Sequence, residues 1–267
     1  MKMEQYAPGT FSWIDVATRD LDQAKAFYTE LFGWSYEDYP SSEGTYTMFT
    51  QDGAQVAAAY QMSPEQIESG TPGHWVSYVS VDNLETTLAK GTEAGGELFM
   101  PPCEVMSYGR MACLKDPAGA VIALWEPKDH IGADLVNAPG ALCWNELLTP
   151  SVEAVQGFYT ATFGWTTEVS TPNPEAPNYT TVYNQGRPNG GMMSITPKMG
   201  PVPPHWTPYV TVEDCKTSFE RAVRMGATPI VPPEVLEGMG VHAHILDPSG
   251  AHIGIFEFNA PAEESCQ

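Results

Sequence analysis

The sequence repeats itself at a single offset of 131 residues. Trp13 falls on Trp144 at this offset, and Phe27-Tyr28 falls on Phe158-Tyr159. The same offset also matches Gly33-Trp34 with Gly164-Trp165, His74-Trp75 with His205-Trp206, Tyr78 with Tyr209, Pro101-Pro102 with Pro232-Pro233, and Asp116-Pro117 with Asp247-Pro248. Because so many bulky or conformationally special residues match without a gap, we predict two copies of one unit, over residues 13–126 and 144–257.

Each copy divides again into two modules that read as strand, helix and then short strands. In the first module Asp20 fits a helix N-cap, apolar residues follow at helical spacing, and Gly33 can end the helix. Hairpins are indicated by the turns Asp52-Gly53 and by the two DPxG segments. We therefore predict an α+β fold of four βαβββ modules, beginning near residues 10, 73, 141 and 204. They would pair into two domains, residues 8–127 and 139–258, with curled mixed sheets.

The motifs resemble those of one known superfamily. Four βαβββ modules, an FY followed by a GW at the first helix, and late DPxG hairpins resemble the glyoxalase, bleomycin-resistance and extradiol-dioxygenase proteins, the vicinal oxygen chelate superfamily. The segments WIDVATRDLDQAKAFYTELFGW and WNELLTPSVEAVQGFYTATFGW are similar to two-domain glyoxalase-like members. The resemblance covers residues 10–258. It implies the fold and a small-molecule ligand, but not a reaction, because the superfamily contains isomerases, dioxygenases, thiol transferases and drug-binding proteins.

The resemblance also implies where a metal would be held. Ligands would lie on the first strand of a module, seven residues before the Asp that opens the helix, and on the last strand, seven residues after the Asp of the DP turn. In this chain those positions are Trp13, Trp75, Ala123, Trp144, Trp206 and Gly254. None of these side chains can coordinate a divalent ion, so we expect no metal and no other cofactor at this site.

One alternative metal site remains open. His242 and His244 lie two residues apart, which puts two imidazoles on one face of a strand and could hold a divalent metal. A tight DPSG turn would pair His252 with Ile245, on the other face from His244, and would leave two ligands rather than three.

Strand alternation predicts an aromatic cavity with one carboxylate in each copy. Asp15 would share a face with Trp13, and Glu146 with Trp144. The first cavity would be lined by Trp13, Asp15, Trp75, Ser77, Val121, Ala123 and Trp125, and the second by Trp144, Glu146, Trp206, Pro208, His252, Gly254 and Phe256. Such walls suit a small planar or apolar ligand, and a carboxylate buried among aromatics should have a raised pKa.

Two functions are compatible with these cavities. The first is a metal-free glyoxalase-type lyase or isomerase with Glu146 or Asp15 as the base, and the second is sequestration of a small metabolite or antibiotic. In a third interpretation the aromatics simply fill an unused cavity. We favour the second cavity, because Gly254 leaves room for a ligand and His252 could share a proton with Glu146. The predicted catalytic residues are Glu146, His252 and Asp15, and the predicted ligand-binding residues are Trp13, Trp75, Trp144, Trp206, Phe256 and Trp125.

Charge and cysteine content limit the partners and the compartment. The chain has 33 Asp and Glu against 12 Lys and Arg, a net charge of −21, which disfavours binding to nucleic acid or to an anionic membrane. A salt-adapted host would produce the same bias. The 5 cysteines form no CxxC motif, and no apolar stretch is long enough to span a bilayer, so we expect a cytoplasmic protein. Four modules can close both cavities within one chain, so a monomer or a homodimer is expected.

Overall fold

Two eight-stranded sheets with the same strand order form the fold. The computed structural model describes residues 1–41, 44–170 and 178–259. In the first copy the elements are β1 (Phe11–Thr18), α1 (Leu21–Phe32), β2 (Ser35–Ser41), β3 (Gly44–Gln51), β4 (Ala54–Gln61), α2 (Pro64–Glu68), β5 (His74–Ser80), α3 (Leu84–Glu93), β6 (Glu97–Val105), β7 (Gly109–Lys115) and β8 (Val121–Pro127).

The second copy repeats this order. Its elements are β9 (Leu142–Thr149), α4 (Val152–Phe163), β10 (Thr166–Ser170), β11 (Tyr179–Asn184), β12 (Arg187–Ser194), a 3₁₀ turn (Pro197–Met199), β13 (His205–Thr211), α5 (Cys215–Arg224), β14 (Thr228–Leu236), β15 (Gly240–Leu246) and β16 (His252–Phe258). None of the described helices is long and apolar enough to cross a membrane.

Both sheets are mixed and curled. Sheet I has the order β2-β3-β4-β1-β5-β8-β7-β6, and sheet II has the order β10-β11-β12-β9-β13-β16-β15-β14. The first strand of each module pairs parallel with its last strand, while the two first strands of a sheet pair antiparallel with each other. The predicted α+β architecture of four βαβββ modules is therefore confirmed.

The first helix shows why the repeated motif folds as predicted. The side chain of Asp20 accepts a hydrogen bond from the backbone N–H of Gln23, which caps the helix N-terminus. Gly33 ends the helix in the left-handed conformation, with φ of 73°, and its N–H bonds to the carbonyl of Thr29. Phe27 and Tyr28 are buried on the inner side of the helix, so the FY–GW motif places aromatic rings in the core and stops the helix.

The offset of 131 residues does not hold along the whole repeat. Sheet I pairs Asp15 of β1 with Ala58 of β4, whereas sheet II pairs Glu146 of β9 with Gly191 of β12. The carboxylates are 131 residues apart, but their partners are 133 apart. The prediction of a constant offset is therefore wrong for β11 and β12. Two residues are added between β10 and β11, and two are lost before β13.

The two copies interlock through the motif residues. Tyr28 donates a hydrogen bond of 2.8 Å to Asp247 in the DP turn of the other copy, and Tyr159 donates one of 2.9 Å to Asp116. Trp34 and Trp165 each bond, at 2.7 Å, to a backbone carbonyl of the other copy. Two apolar cores lie on the helix side of the sheets, and each contains residues from both copies. The sheet faces turned away from the helices, here called the concave faces, are left to hold the predicted cavities.

Candidate functional site

Both predicted carboxylates lie on the concave faces. In sheet I, Trp13 and Trp125 belong to a cluster distinct from the helix-side cores. In sheet II, the pairing of Phe256 with His242 and of Trp144 with Tyr209 puts these residues on the equivalent face. Asp15 and Glu146 are 2% and 6% exposed, so both carboxylates are buried.

Trp75 and Trp206 do not line the concave faces, so their prediction as cavity residues is wrong. Trp75 pairs with Val16 of β1 and packs in the helix-side core, where its Nε1 donates to Tyr28 at 3.1 Å. Trp206 packs in the same way and donates to Tyr159 at 2.9 Å. Their neighbours two residues along, Ser77 and Pro208, share this helix side. The two tryptophans thus support the contacts between the copies rather than a ligand.

The error came from the position of the helix cap. The N-cap of α3 is Asn83 rather than Asp82, and the N-cap of α5 is Asp214. Counting seven residues back from these caps gives Val76 and Thr207, which pair with Asp15 and Glu146 and therefore share their face. A shift of one residue in a strand moves a side chain to the opposite face.

In sheet I, Asp15 is enclosed by tyrosines. Its Oδ2 accepts hydrogen bonds from Tyr78 at 2.9 Å and from Tyr46 at 3.2 Å, and Tyr46 accepts one from Trp13 at 3.2 Å. Burial raises the pKa of Asp15 to about 7, and the two phenol hydrogen bonds lower it in part. Within the part of the chain that the structure describes, Oδ1 of Asp15 has no hydrogen-bond partner.

The concave face of sheet I is covered by other parts of the chain. Tyr6 donates to the carbonyl of Ala133 at 2.7 Å, which joins the N-terminal segment to the linker after β8. The ring of His130 packs edge-on against Trp13 at a centroid distance of 4.9 Å, and its carbonyl accepts from Trp125. Trp13 is only 4% exposed as a result. The interpretation in which aromatics fill an unused cavity therefore fits this face.

In sheet II, the second carboxylate has a similar inner shell. Tyr209 donates to Oε1 of Glu146 at 3.0 Å, and Trp144 donates to Tyr179 at 2.8 Å. Burial raises the pKa of Glu146, while hydrogen bonds from Tyr209 and Tyr179 lower it in part.

Four histidines lie on the same face as Glu146. Sheet I has a histidine at only one of the four matching positions. His244 lies 3.0 Å from Tyr209, His252 lies 3.0 Å from His244, and His205 lies 2.8 Å from His252. The ring of His242 packs edge-on against His244 at 5.4 Å. At the matching positions of sheet I stand Met111, Cys113 and Val121, with His74 the one retained histidine.

The structure corrects two expectations about this face. His252 pairs with Leu246 rather than with Ile245, so it shares the face of His244. It does not reach Glu146 directly, since Tyr209 and His244 lie between them. Gly254 also leaves no room for a ligand: a Cβ built there would lie 2.4 Å from Cδ1 of Tyr209, whose ring occupies the space.

A cleft of about 1030 Å³ opens at Trp144, two residues before Glu146 on β9, while Glu146 itself is buried and does not line it. It lies between the N-terminal segment, the start of β9 and the turn between β11 and β12, and its walls include Trp144 and Phe258. The lining is mixed, since it contains Asn184, Asn189 and Arg187 as well as apolar residues such as Leu142. Trp144 is the one tryptophan of the seven that is not buried, so an incoming ligand would meet it first.

Comparisons with known proteins agree with this architecture. Residues 10–124 match the family model of the "Glyoxalase/Bleomycin resistance protein/Dioxygenase superfamily". The chain is 38% identical to "Putative glyoxylase CFP32" of Mycobacterium tuberculosis, over 98% of this chain and 99% of that protein. It is 32% identical to "Anthracycline biosynthesis protein DnrV" of Streptomyces peucetius, over 96% of this chain and 95% of that protein.

The chain belongs to the glyoxalase/bleomycin resistance protein/dioxygenase superfamily. Its fold is similar to that of the Mn(II)-bound glyoxalase from Novosphingobium aromaticivorans, with a TM-score of 0.64 and 15% identity over 94% of this chain and 82% of that one. It is also similar to a trihydroxybiphenyl dioxygenase from Sphingomonas wittichii, with a TM-score of 0.65 and 11% identity over 97% and 94%. At these identities the solved structures support the fold alone.

The residues at the positions where the family resemblance places metal ligands do not fit a divalent metal ion. With the corrected helix caps, the positions of the metal ligands are Trp13, Val76 and Ala123 in sheet I, and Trp144, Thr207 and Gly254 in sheet II. Within residues 1–41, 44–170 and 178–259, no group of three or more His, Cys, Asp and Glu side chains is arranged to hold a metal ion. Both ring nitrogens of His244 already face Tyr209 and His252, so the alternative site at His242 and His244 offers one free imidazole at most.

The tyrosines around the carboxylates are functional residues that the strand pattern alone does not reveal. Tyr78 and Tyr209 match at the offset of 131, but strand alternation counted from Trp75 and Trp206 as cavity residues would put both tyrosines on the helix side. Tyr46 and Tyr179 match only at the offset of 133, which the constant-offset assumption hid. His205 was noted as a repeat landmark, but a contact with His252 across two parallel strands cannot be derived without the sheet order.

Proposed function

We propose that the concave face of sheet II binds a small planar or carbonyl-containing metabolite and acts on it by proton transfer, with Glu146 as the general base. The observation that carries this proposal is a buried carboxyl group with a raised pKa that shares a strand face with Trp144, a partly exposed tryptophan lining an open cleft. Perturbed carboxyl groups in clefts are characteristic of sites of acid–base chemistry.

The arrangement of the aromatic residues supports a flat ligand. Trp144 is partly exposed at the cleft and is held by its hydrogen bond to Tyr179, so its ring is a fixed surface for stacking. Phe258 lies on another wall of the same cleft and is 51% exposed. Two Streptomyces relatives are named as anthracycline biosynthesis proteins, and anthracyclines have a planar fused-ring core with carbonyl groups.

The proposed reaction is a glyoxalase-type lyase or isomerase step without a metal. Glu146 would remove a proton from a carbon next to a carbonyl group, and the phenol of Tyr179 or Tyr209 would donate a hydrogen bond to oxygen. Burial raises the pKa of both tyrosines well above the ordinary value, with the nearby Glu146 adding to the effect, so both are donors at neutral pH. The protein is proposed to act in the cytoplasm on a small molecule, as a monomer or a homodimer.

The second candidate function is sequestration without reaction. The features that favour it are the misfit of the metal positions and the mixed, open lining of the cleft. In that case Glu146 would recognise a cationic or hydroxyl group of the ligand rather than accept a proton from carbon.

A ligand screen read by tryptophan fluorescence separates these candidates. The panel would contain planar hydroxyquinones and α-oxoaldehydes with and without a thiol, and hits would be followed for turnover. We expect Glu146→Gln to reduce turnover by about 10²–10⁴-fold with binding retained, and the matched Asp15→Asn to leave turnover unchanged. Binding without any turnover in the wild-type protein would favour sequestration, and loss of turnover in Asp15→Asn alone would move the site to sheet I.

A further inference from the structure

A continuous line of hydrogen-bonding side chains runs from Glu146 to the end of sheet II. Oη of Tyr209 lies 3.0 Å from Oε1 of Glu146 and 3.0 Å from Nε2 of His244. Nδ1 of His244 lies 3.0 Å from Nε2 of His252, and Nδ1 of His252 lies 2.8 Å from Nε2 of His205. Each imidazole therefore uses one ring nitrogen toward each neighbour, which is the geometry that a proton relay requires.

The far end of the line fixes the direction of the hydrogen bonds. Nδ1 of His205 lies 2.8 Å from the carbonyl oxygen of Pro203, which can only accept. His205 must therefore carry a proton on Nδ1, and its Nε2 is free to accept a proton from His252 or, in the imidazolium form, to donate one. His205 is the first residue of β13 and is partly exposed, so it connects the buried line to the surface.

Two arrangements satisfy every link, and they contain the same number of protons. In the first, a protonated Glu146 donates to Tyr209, Tyr209 donates to His244, His244 to His252, and His252 to His205. In the second, Glu146 is a carboxylate that accepts from Tyr209, every other link is reversed, and His205 is an imidazolium. The first becomes the second when each donor passes its hydrogen-bonded proton to its acceptor, so one proton leaves Glu146 and one arrives at His205.

We infer that Tyr209, His244, His252 and His205 form a proton relay that exchanges the proton of Glu146 with solvent. The inference rests on the proposed role of Glu146 as the base, and it deepens that role by giving the abstracted proton a route out of the site. No oxidant, metal or further reactant takes part, because every transfer is between oxygen or nitrogen atoms of the chain.

The surroundings of the line keep its two middle imidazoles neutral. Tyr179 of β11 faces Glu146, His242 of β15 faces His244, and Oγ1 of Thr207 lies 3.1 Å from Nδ1 of His252. Burial lowers the pKa of His244 well below the ordinary value and lowers that of His252 to about 3. Both imidazoles therefore stay neutral and carry charge only during transfer, as members of a relay should.

Sheet I provides a natural comparison in which the line is broken. Tyr78 holds Asp15 as Tyr209 holds Glu146, and Nδ1 of His74 faces the carbonyl of Pro72 at 3.1 Å as His205 faces Pro203. The two ends are thus retained. The middle is not, because Cys113 and Val121 stand where sheet II has His244 and His252, and Val121 can neither accept nor donate a proton.

The test uses the full chain with ¹⁵N-labelled histidine and no ligand. NMR would measure the rate at which the ring N–H of His244 exchanges with water at constant pH. We expect His252→Gln to slow this exchange by about tenfold or more, because an amide can hydrogen-bond on both sides but cannot pass a proton on. His242→Gln is the matched control, since His242 contacts His244 but lies outside the line, and it should keep the wild-type rate.

A purely structural role for His252 gives a different result. Unchanged exchange in His252→Gln, or equal slowing in both variants, would overturn the relay. His205→Gln provides the same measurement from the partly exposed end, should His252→Gln not fold. Turnover tests the proposed function separately. Loss of turnover in Glu146→Gln with unchanged exchange in His252→Gln would support Glu146 as the base and refute the relay. Slowed exchange in His252→Gln with full turnover in Glu146→Gln would support the relay and refute Glu146 as the base.

Discussion

The concave faces of the two sheets share their innermost residues and differ in what surrounds them. Each has a buried carboxyl group held by a tyrosine of the neighbouring strand, and each has a tryptophan bonded to a second tyrosine. In sheet I the middle of the face is apolar and lies under the N-terminal segment and the linker. In sheet II four histidines take that place, and the tryptophan meets an open cleft.

This difference shows how a duplicated unit can divide its tasks. The copies retain the same sheet order and the same contacts at the carboxyl group, so the scaffold does not decide which face is used. The two copies differ at two positions between the carboxyl group and the surface. His244 and His252 of sheet II complete the proposed proton relay, whereas Cys113 and Val121 of sheet I interrupt it. Covering the face then determines whether a ligand can approach. We interpret sheet I as mainly structural and sheet II as the candidate site.

The largest expected difference between the two faces is the loss of unfolding free energy when the matching tryptophans are replaced by alanine. Trp13→Ala should cost about 3–5 kcal/mol of unfolding free energy, because the ring is 4% exposed and its removal leaves a cavity. Trp144→Ala should cost about half of that or less, since the ring is partly exposed at the cleft. Urea unfolding of both variants measures the difference, and equal losses would show that the two faces are filled to the same extent.

The pH dependence of stability tests the buried carboxyl group of sheet I. The pKa of Asp15 is raised from 3.8 to about 7, so the folded state binds its proton more tightly than the unfolded state. Stability should therefore fall as pH rises from about 4 to about 7, by up to about 4 kcal/mol from this group. Asp15→Asn should flatten this fall in urea unfolding curves recorded between pH 4 and pH 8. A slope that persists in Asp15→Asn would assign the effect to other groups.

Removal of the two central hydroxyl groups should separate the faces by a smaller amount. Tyr78→Phe leaves Asp15 without one donor and should cost about 1 kcal/mol. Tyr209→Phe removes one hydrogen-bond partner from Glu146 and one from His244, and should cost about 2 kcal/mol. Thermal or urea unfolding of the pair gives the comparison, and a larger loss in Tyr78→Phe would mean that the histidine side is not coupled to the carboxyl group.

The smallest expected effect is a change in tryptophan fluorescence quenching rather than in stability. Trp144 is the one tryptophan that is not buried, so Trp144→Phe should remove most of the fluorescence that acrylamide can quench. Trp13→Phe should leave the quenchable fraction unchanged. Strong quenching that survives in Trp144→Phe would show that another tryptophan is reached by small solutes.

Much of the fold could be predicted from the sequence because its determinants are local. Caps such as Asp20, left-handed glycines such as Gly33 and the DPxG turns act within a few residues. The faces of the first strands could not be derived so reliably. A choice between Asp82 and Asn83 as the cap reversed the face of Trp75, and the two-residue change near β11 hid the match between Tyr46 and Tyr179.

The histidine line could not have been predicted from one strand at a time. His242, His244 and His252 are close in sequence, but their contact with Tyr209 and His205 depends on β13 lying parallel beside β16. Pairing between strands that are distant in sequence is a property of the complete sheet. The carboxylates, in contrast, were found from alternation within a single strand.

The reciprocal bonds Tyr28–Asp247 and Tyr159–Asp116 have a consequence for how the chain unfolds. Each joins a helix of one copy to a turn of the other, and both apolar cores contain residues from both copies. Neither copy can lose its helices without exposing the core of its neighbour. Denaturation should therefore be a single cooperative transition rather than two. A chain cut in the linker should yield two fragments that recover native structure only when mixed.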